Sequence, residues 1–280
     1  VAPDLRGYGN TTRPEDSAQY LMVNLVDDVK GLITHLNPEN KSKVVLVGHD
    51  WGGMISFCFA TLYETLISKL IIINGMHPLA FAEHLLRSVT QMRMSWYMLP
   101  FRHAVIPEKY LIMNDFKFFE KIHEGFTIDE ENAQKYVFSR EGALTGALNY
   151  YRAFNNDSDQ LKKFPYRKIN VSTLILWGEL DEFIMPQVAV YNKKWLKDVI
   201  DIYYPSEGHW FFRRCAVEIF DRIRRFAGDK NETSVFTMQA VEEKIQLGKC
   251  VSSPIRTGRR KQKHLRSLPS NANLPDVMKD

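Results

Sequence analysis

The chain has 280 residues, of which 45% are apolar, 12% aromatic and 25% charged, a globular composition that excludes a disordered, collagenous or coiled-coil protein as a whole. Ten Lys and Arg stand against six Asp and Glu between 228 and 280, so the net charge of +4 sits in that stretch and the body is neutral, which argues against nucleic acid as a partner. Three cysteines are too few for a disulfide scaffold or, by themselves, a closed zinc site, and no apolar run reaches the roughly 18 residues that span a bilayer.

Residues 16–36 place Leu21, Leu25, Val29, Leu32 and Ile33 at helical spacing, with Asp16 or Ser17 as the cap. KVVLV at 43–47 is short, continuous and β-branched, as expected of a strand buried on both faces of a parallel sheet. A glycine-rich turn, GHDWGG, leads into the helical run MISFCFATLYETL, and KLIIIN at 69–74 is a second buried strand. The alternation of helix and strand predicts an α/β sheet. Residues 79–164, rich in Phe, Tyr, Met and His, contain no buried-strand run and read as a helical insertion, a lid over a site. The alternation resumes with a strand at 172–177, a helix at 187–197, a strand at 199–204 and a helix at 216–226. The predicted division is therefore a first core segment at 1–78, a lid at 79–164, a second core segment at 165–228 and a disordered tail at 229–280. Within that tail 256–266 carries six Lys and Arg and no acid, a candidate contact with an anionic lipid surface.

The strongest chemical signal is Gly48-His49-Asp50-Trp51-Gly52 between a strand and a helix. It has the form of a G-x-S-x-G nucleophile elbow with Asp in the Ser position. The turn lifts the side chain of Asp50 out of the sheet, and the following helix N-terminus favours negative charge there. Gly48 and Gly52 are expected to flank it because side chains at those positions would meet neighbouring backbone. The Trp51 N–H is placed to face a developing oxyanion. A carboxylate needs no deprotonation near neutral pH, so Asp50 can attack an sp³ carbon and form an alkyl ester. Releasing that ester requires a water, a base and an acid that orients the base. Asp181, in LILWGELDEF, and His209, in YYPSEGHW, each follow a strand, in the chain order nucleophile, acid, histidine. Glu179 and Glu182 compete with Asp181 for the acid role.

Here the sequence resembles the epoxide hydrolase branch of the α/β-hydrolases. PDLRGYGN, VLVGHDWGGMI, LWGELDEF and EGHW fall at that family's motif positions over residues 1 to about 227, and NGMHPLAF and NDFKFF are closest to its membrane-anchored, epoxide hydrolase 4-like subfamily. The resemblance implies an α/β-hydrolase fold with a helical cap, and opening of a lipophilic epoxide to a diol by Asp50, His209 and Asp181, with water as second substrate and no cofactor or metal. It also implies two lid tyrosines as donors to the epoxide oxygen. Tyr151 in ALNYYRAF fits one and Tyr97 in MSWYMLPF the other, with Tyr150 a weaker match. By resemblance the protein belongs at the endoplasmic reticulum membrane or in the cytoplasm.

The sequence departs from the family in three places. The strands that precede PDLRGYG in the family, and their HG-x-P turn, are not in this sequence, which starts at Val1. The expectation is a fragment of a longer protein with one sheet edge open and Trp51 as the remaining oxyanion donor. Loss of one such donor costs roughly 3–4 kcal/mol in measured hydrolases. Arg102-His103-Ala104 and HWFFRRCA also differ from the family's Gln- and Pro-containing segments. Two rival functions stand beside epoxide hydrolysis. One is haloalkane dehalogenation, in which Trp96 would bind halide. The other is a hydrolase-like protein that binds ligand without turnover.

Overall fold

The structure is a computed structural model that describes residues 1–39, 41–122, 125–156 and 164–228. The basic tail at 229–280 lies outside the described residues, as does His123.

Four parallel strands form the sheet in the order β1 (Val44–Asp50), β2 (Ile67–Gly75), β3 (Thr173–Gly178) and β4 (Val199–Tyr204). Adjacent strands are joined through helices, as parallel pairing demands. Alternate side chains divide between two cores. Leu70, Ile72, Ile175 and Trp177 pack on one face with helices α1 (Met22–Leu36) and α2 (Trp51–Tyr63). Ile71, Ile73, Leu174, Leu176 and Ile202 pack on the other, where α9 (Phe211–Arg214) and α10 (Ala216–Ala227) lie. β2 and β3 are thus buried on both faces, and their unbroken apolar runs reflect it.

β1 departs from the expectation of double burial. It pairs with β2 alone among the described strands, and Val45 and Val47, on the α10 face, are exposed. The run KVVLV records β-propensity but not the number of neighbours. The predicted helix at 16–36 is also two pieces. Asp16 caps a 3-10 turn, Ser17–Tyr20, and α1 begins only at Met22 after Leu21 takes an extended conformation. The predicted helix at 187–197 is α8 (Gln187–Asn192) followed by a 3-10 turn, Lys193–Trp195.

The described residues between β2 and β3 contain helices and turns and no strand. These are α3 (Pro78–Arg87), α4 (Val89–Met94), two 3-10 turns, α5 (Ile106–Ile122), α6 (Ile128–Ser139) and α7 (Ala143–Asn156). Thr127 and Glu130 form a reciprocal capping box at the start of α6. α5 breaks in its middle, where Asn114, Asp115 and Phe116 take left-handed φ values of 51°, 55° and 60°. Leu111, Phe116, Phe119, Leu144 and Leu148 make a third apolar cluster between α5 and α7. Among the described residues no helix is long and apolar enough to cross a membrane, and no group of three or more His, Cys, Asp or Glu is set to hold a metal ion.

Candidate active site

All the sequence-predicted site residues lie at the C-terminal end of the sheet or on the helices facing it. β1 ends at Asp50 and α2 begins at Trp51. Asp50 takes φ 52° and ψ −119°, a conformation that a non-glycine residue holds only at a cost of order 1–3 kcal/mol. Gly48 permits this turn, because a Cβ there would run into the Gly52 carbonyl and Ser56 Oγ. Gly52 does not play the expected part: a Cβ on it would meet nothing within 4 Å. The close approach belongs to the next residue. A Cβ on Gly53 would lie 2.7 Å from the Gly75 Cα, where α2 crosses the end of β2. The Trp51 backbone N–H donates to the Asp50 carboxylate.

Asp181 follows β3 and is buried, with four donors converging on it. Oδ1 accepts the backbone N–H groups of Phe183 at 2.7 Å and Ile184 at 2.8 Å. Oδ2 accepts the amide of Asn74 and lies 2.7 Å from His209 Nδ1. His209 follows β4 and points its other nitrogen, Nε2, at Asp50 Oδ1, 3.5 Å away. Burial acts to lower the His209 pKa, but the charge and hydrogen bond of Asp181, then the charge of Asp50, outweigh it and raise the imidazole above its ordinary value. Burial raises the Asp50 carboxyl, opposed by His209 and by the Trp51 N–H. Of the competing acids, it is Asp181 that is hydrogen bonded to the histidine, while the charge of Glu182 adds to raising its pKa.

Tyr97 and Tyr151 meet across a cavity of about 490 Å³ that Asp50 and His209 also line. Their rings are 5.9 Å apart and nearly perpendicular, and their hydroxyls are hydrogen bonded. Tyr151 also stands edge-on to Trp51, with ring centroids 5.2 Å apart. Burial, reinforced by the negative charge of Asp50, pushes both phenols well up, so both keep their protons at neutral pH. Tyr150 faces away and donates to the Arg6 carbonyl at 2.8 Å. Trp96 is 57% exposed and does not line the cavity, which removes it as a halide donor. Most of the remaining wall is apolar, with Phe101, Leu111, Phe118, Leu148 and Phe183 among its residues, and Gln134 adds an amide.

A model of the alpha/beta hydrolase fold family matches residues 1–213. The chain belongs to the alpha/beta hydrolase fold family. This α/β-hydrolase is 35% identical over 222 residues to a protein of Mus musculus named epoxide hydrolase 4, an overlap of 75% of this chain and 60% of the relative. It is 32% identical over 225 residues to the AB hydrolase superfamily protein YfhM of Bacillus subtilis (strain 168), covering 75% of this chain and 73% of that one. It thus spans about three fifths of the length of the mouse relative. A crystal structure of Bacillus megaterium epoxide hydrolase in complex with an inhibitor superposes with a TM-score of 0.71, at 24% identity and with coverage of 80% of this chain and 82% of that one.

Three site residues escaped the sequence reading. Asn74 sits at the end of β2 with φ 36°, and its Oδ1 accepts the Gly178 N–H at 2.8 Å while its amide reaches Asp181. Nothing local marks it except an Asn at a strand end, a residue type that tolerates left-handed backbone. His49 lies under the His209 loop, with Nε2 3.1 Å from the His209 carbonyl. Burial, then the neighbouring His209, lowers its pKa well below the ordinary value, so it is the neutral ring that donates to that carbonyl from Nε2. Tyr8 lines the cavity from a loop that turns on Gly7 and Gly9, with φ of 88° and 49°, and burial next to Asp50 raises its hydroxyl pKa. Its place between two glycines in PDLRGYGN was the available signal. Asp4 and Gly9 line the cavity as well, while Arg6 ties the loop to Asp28 at 2.7 and 2.8 Å.

Proposed function

We propose that this chain carries the reaction centre of an epoxide hydrolase and opens lipophilic epoxides to vicinal diols through an ester on Asp50. The observation that carries this reading is the pairing, across one apolar cavity, of a carboxylate–histidine–carboxylate relay with two protonated tyrosines. The helices between 79 and 164 act as the cap that holds those tyrosines. The names of the relatives agree with the reading.

In the first step an Asp50 carboxylate oxygen forms a bond to an epoxide carbon as the C–O bond breaks. The departing oxygen stays attached to the substrate and takes a proton from Tyr97 or Tyr151, which general acid catalysis requires for so poor a leaving group. In the second step neutral His209 removes a proton through Nε2 from a water that attacks the ester carbonyl. The Trp51 N–H faces the resulting oxyanion, and Asp181 stabilises the imidazolium. Collapse breaks the ester C–O bond; the departing alkoxide takes the proton from the His209 imidazolium, and the proton left on the Asp50 carboxyl passes to the tyrosinate, which returns Asp50 as a carboxylate and frees the diol. Trp96 lies outside the cavity, but Trp51 and Gln134 line it, so it is the paired tyrosine donors, and not the lack of an indole or amide, that favour an epoxide over a halide.

The test is the intact mass of the His209→Gln chain after exposure to styrene oxide. The expected result is a gain of one epoxide, mapped to Asp50 by peptide sequencing and lost in Asp50→Asn. A folded chain that takes up no adduct would overturn the ester reading and favour ligand binding without turnover.

A further inference from the structure

The helices over the cavity present a second face to solvent. Between 86 and 113 the chain exposes an unusual density of large apolar side chains. In and around α4, Val89, Met92 and Trp96 recur at helical spacing, with Leu86 85% exposed one turn earlier and Leu99 64% exposed just after. In the first half of α5, Ile106 is 62% exposed and Tyr110 follows one turn on. An exposed apolar run of this size marks an interaction surface.

The charges decide its partner. Every exposed charged side chain in the same stretch is positive: Arg93, Arg102 and Lys109, with Arg87, which pairs with Glu83 at 3.5 Å, and His103 among them. The one acid, Glu108, is turned inward and engaged by Arg152 at 2.8 and 2.9 Å. At α6, by contrast, exposed Ile128 sits beside Asp129 and Glu131, and the next acid beyond the stretch, Asp115, pairs with Lys135 at 3.0 Å. Trp, Leu and Ile interleaved with Arg and Lys are the composition of a segment that lies in a membrane interface, apolar side chains in the acyl boundary and cations at the phosphates.

We propose that this cap surface, 86–113, docks on a bilayer bearing anionic phospholipid headgroups. The inward side of the same stretch supplies Tyr97, Phe101 and Leu111 to the cavity. Docking therefore brings the segment that carries part of the apolar cavity wall to the lipid. The docking does not depend on the reaction, because its test reads binding and not turnover.

Trp96 makes the test direct. Of the five tryptophans it is the one that is largely exposed to solvent. The full chain is mixed with vesicles of phosphatidylcholine and phosphatidylserine whose acyl chains are brominated. The expected result is co-flotation with quenching of tryptophan emission, the quenching being abolished in Trp96→Phe. Arg93→Gln and Arg102→Gln should each weaken partitioning about fivefold. All variants are checked for an unchanged near-ultraviolet circular dichroism spectrum. A chain with Arg259, Arg260, Lys261 and Lys263 changed to Gln should still be quenched. Flotation without quenching, abolished by those tail substitutions, would overturn the proposal in favour of attachment through the tail. Absence of flotation, with the chain instead self-associating or held by a protein partner through Trp96, would overturn it as well.

Discussion

Replacing Asn74 with Ala asks how far the charged relay is held from behind. Asn74 is fully buried, and its side chain ties the end of β2 to the end of β3 and the loop after it: Oδ1 accepts the Gly178 N–H at 2.8 Å, and the amide donates to Asp181 Oδ2 and, at 3.5 Å, to the Gly178 carbonyl. In the Ala variant the Gly178 N–H is buried without a partner, which costs about 1–3 kcal/mol. Asp181 loses one of its four donors, worth about 1.5–3 kcal/mol for a bond to a charged group. A left-handed φ without the local bonding of an Asn side chain adds about 1 kcal/mol. The loss should come to about 4–6 kcal/mol, comparable with the whole stability of a typical domain. Urea unfolding at neutral pH, followed by tryptophan emission, measures it. Any variant that folds should also show His209 titrating higher than in the parent, because negative charge is then less spread from Asp181. A loss below about 1 kcal/mol with an unmoved His209 titration would refute the reasoning and mean that neighbouring groups replace the missing amide.

Two further outcomes follow from the same geometry. The His209 pKa is raised on folding, so the stability it confers is present below about pH 6.5 and is lost as pH rises through the folded value. On the ester mechanism hydrolysis needs the neutral ring, so single-turnover ester breakdown should increase as His209 loses its proton, at a lower pH than in the free chain because the ester removes the Asp50 charge that helps to raise it. A breakdown rate flat from pH 6 to 9 would contradict it. The adjacent glycines should respond with opposite signs. Gly53→Ala forces a Cβ against the Gly75 backbone and should lower stability by about 1–3 kcal/mol, whereas Gly52→Ala meets no neighbour and should raise it by about 0.5–1 kcal/mol, both read from thermal midpoints.

What the sequence made legible was whatever depends on short-range pattern. β4 occupies 199–204 as read, because VIDIYY combines β-branched and aromatic residues between a Trp-Leu-Lys-Asp segment and a Pro. The order Asp50, Asp181, His209 could be read because each follows a recognisable strand. Pairing across the sheet could not, and so KVVLV gave no sign that Val45 and Val47 would stay exposed at an edge. The glycine that matters in the elbow was misassigned for the same reason: Gly53 is constrained by Gly75, more than twenty residues away, and not by its own turn. Asn74 and His49 act on groups over a hundred positions distant, and no local spacing announces such bonds. The break in α5 had a local cue in Asn114-Asp115, but Phe116 is bulky and apolar and adopts positive φ because its ring is held in the cluster with Phe119.

Trp210, the residue after His209, ties two parts of the molecule together. Trp210 donates its indole N–H to the Ile122 carbonyl at 2.6 Å, at the end of α5, and Arg213 lies 3.6 Å over the Phe126 ring and pairs with Glu130. The His209 loop is thereby stitched to the wall of the cavity it serves. A guest that props α5 outward drags on the loop and lengthens the 3.5 Å gap between His209 and Asp50. On the ester reading, bulk in the guest would then be felt chiefly after capture, as a slow discharge of the Asp50 adduct, so that oversized molecules would behave as long-lived blockers of the cavity and not as weak binders.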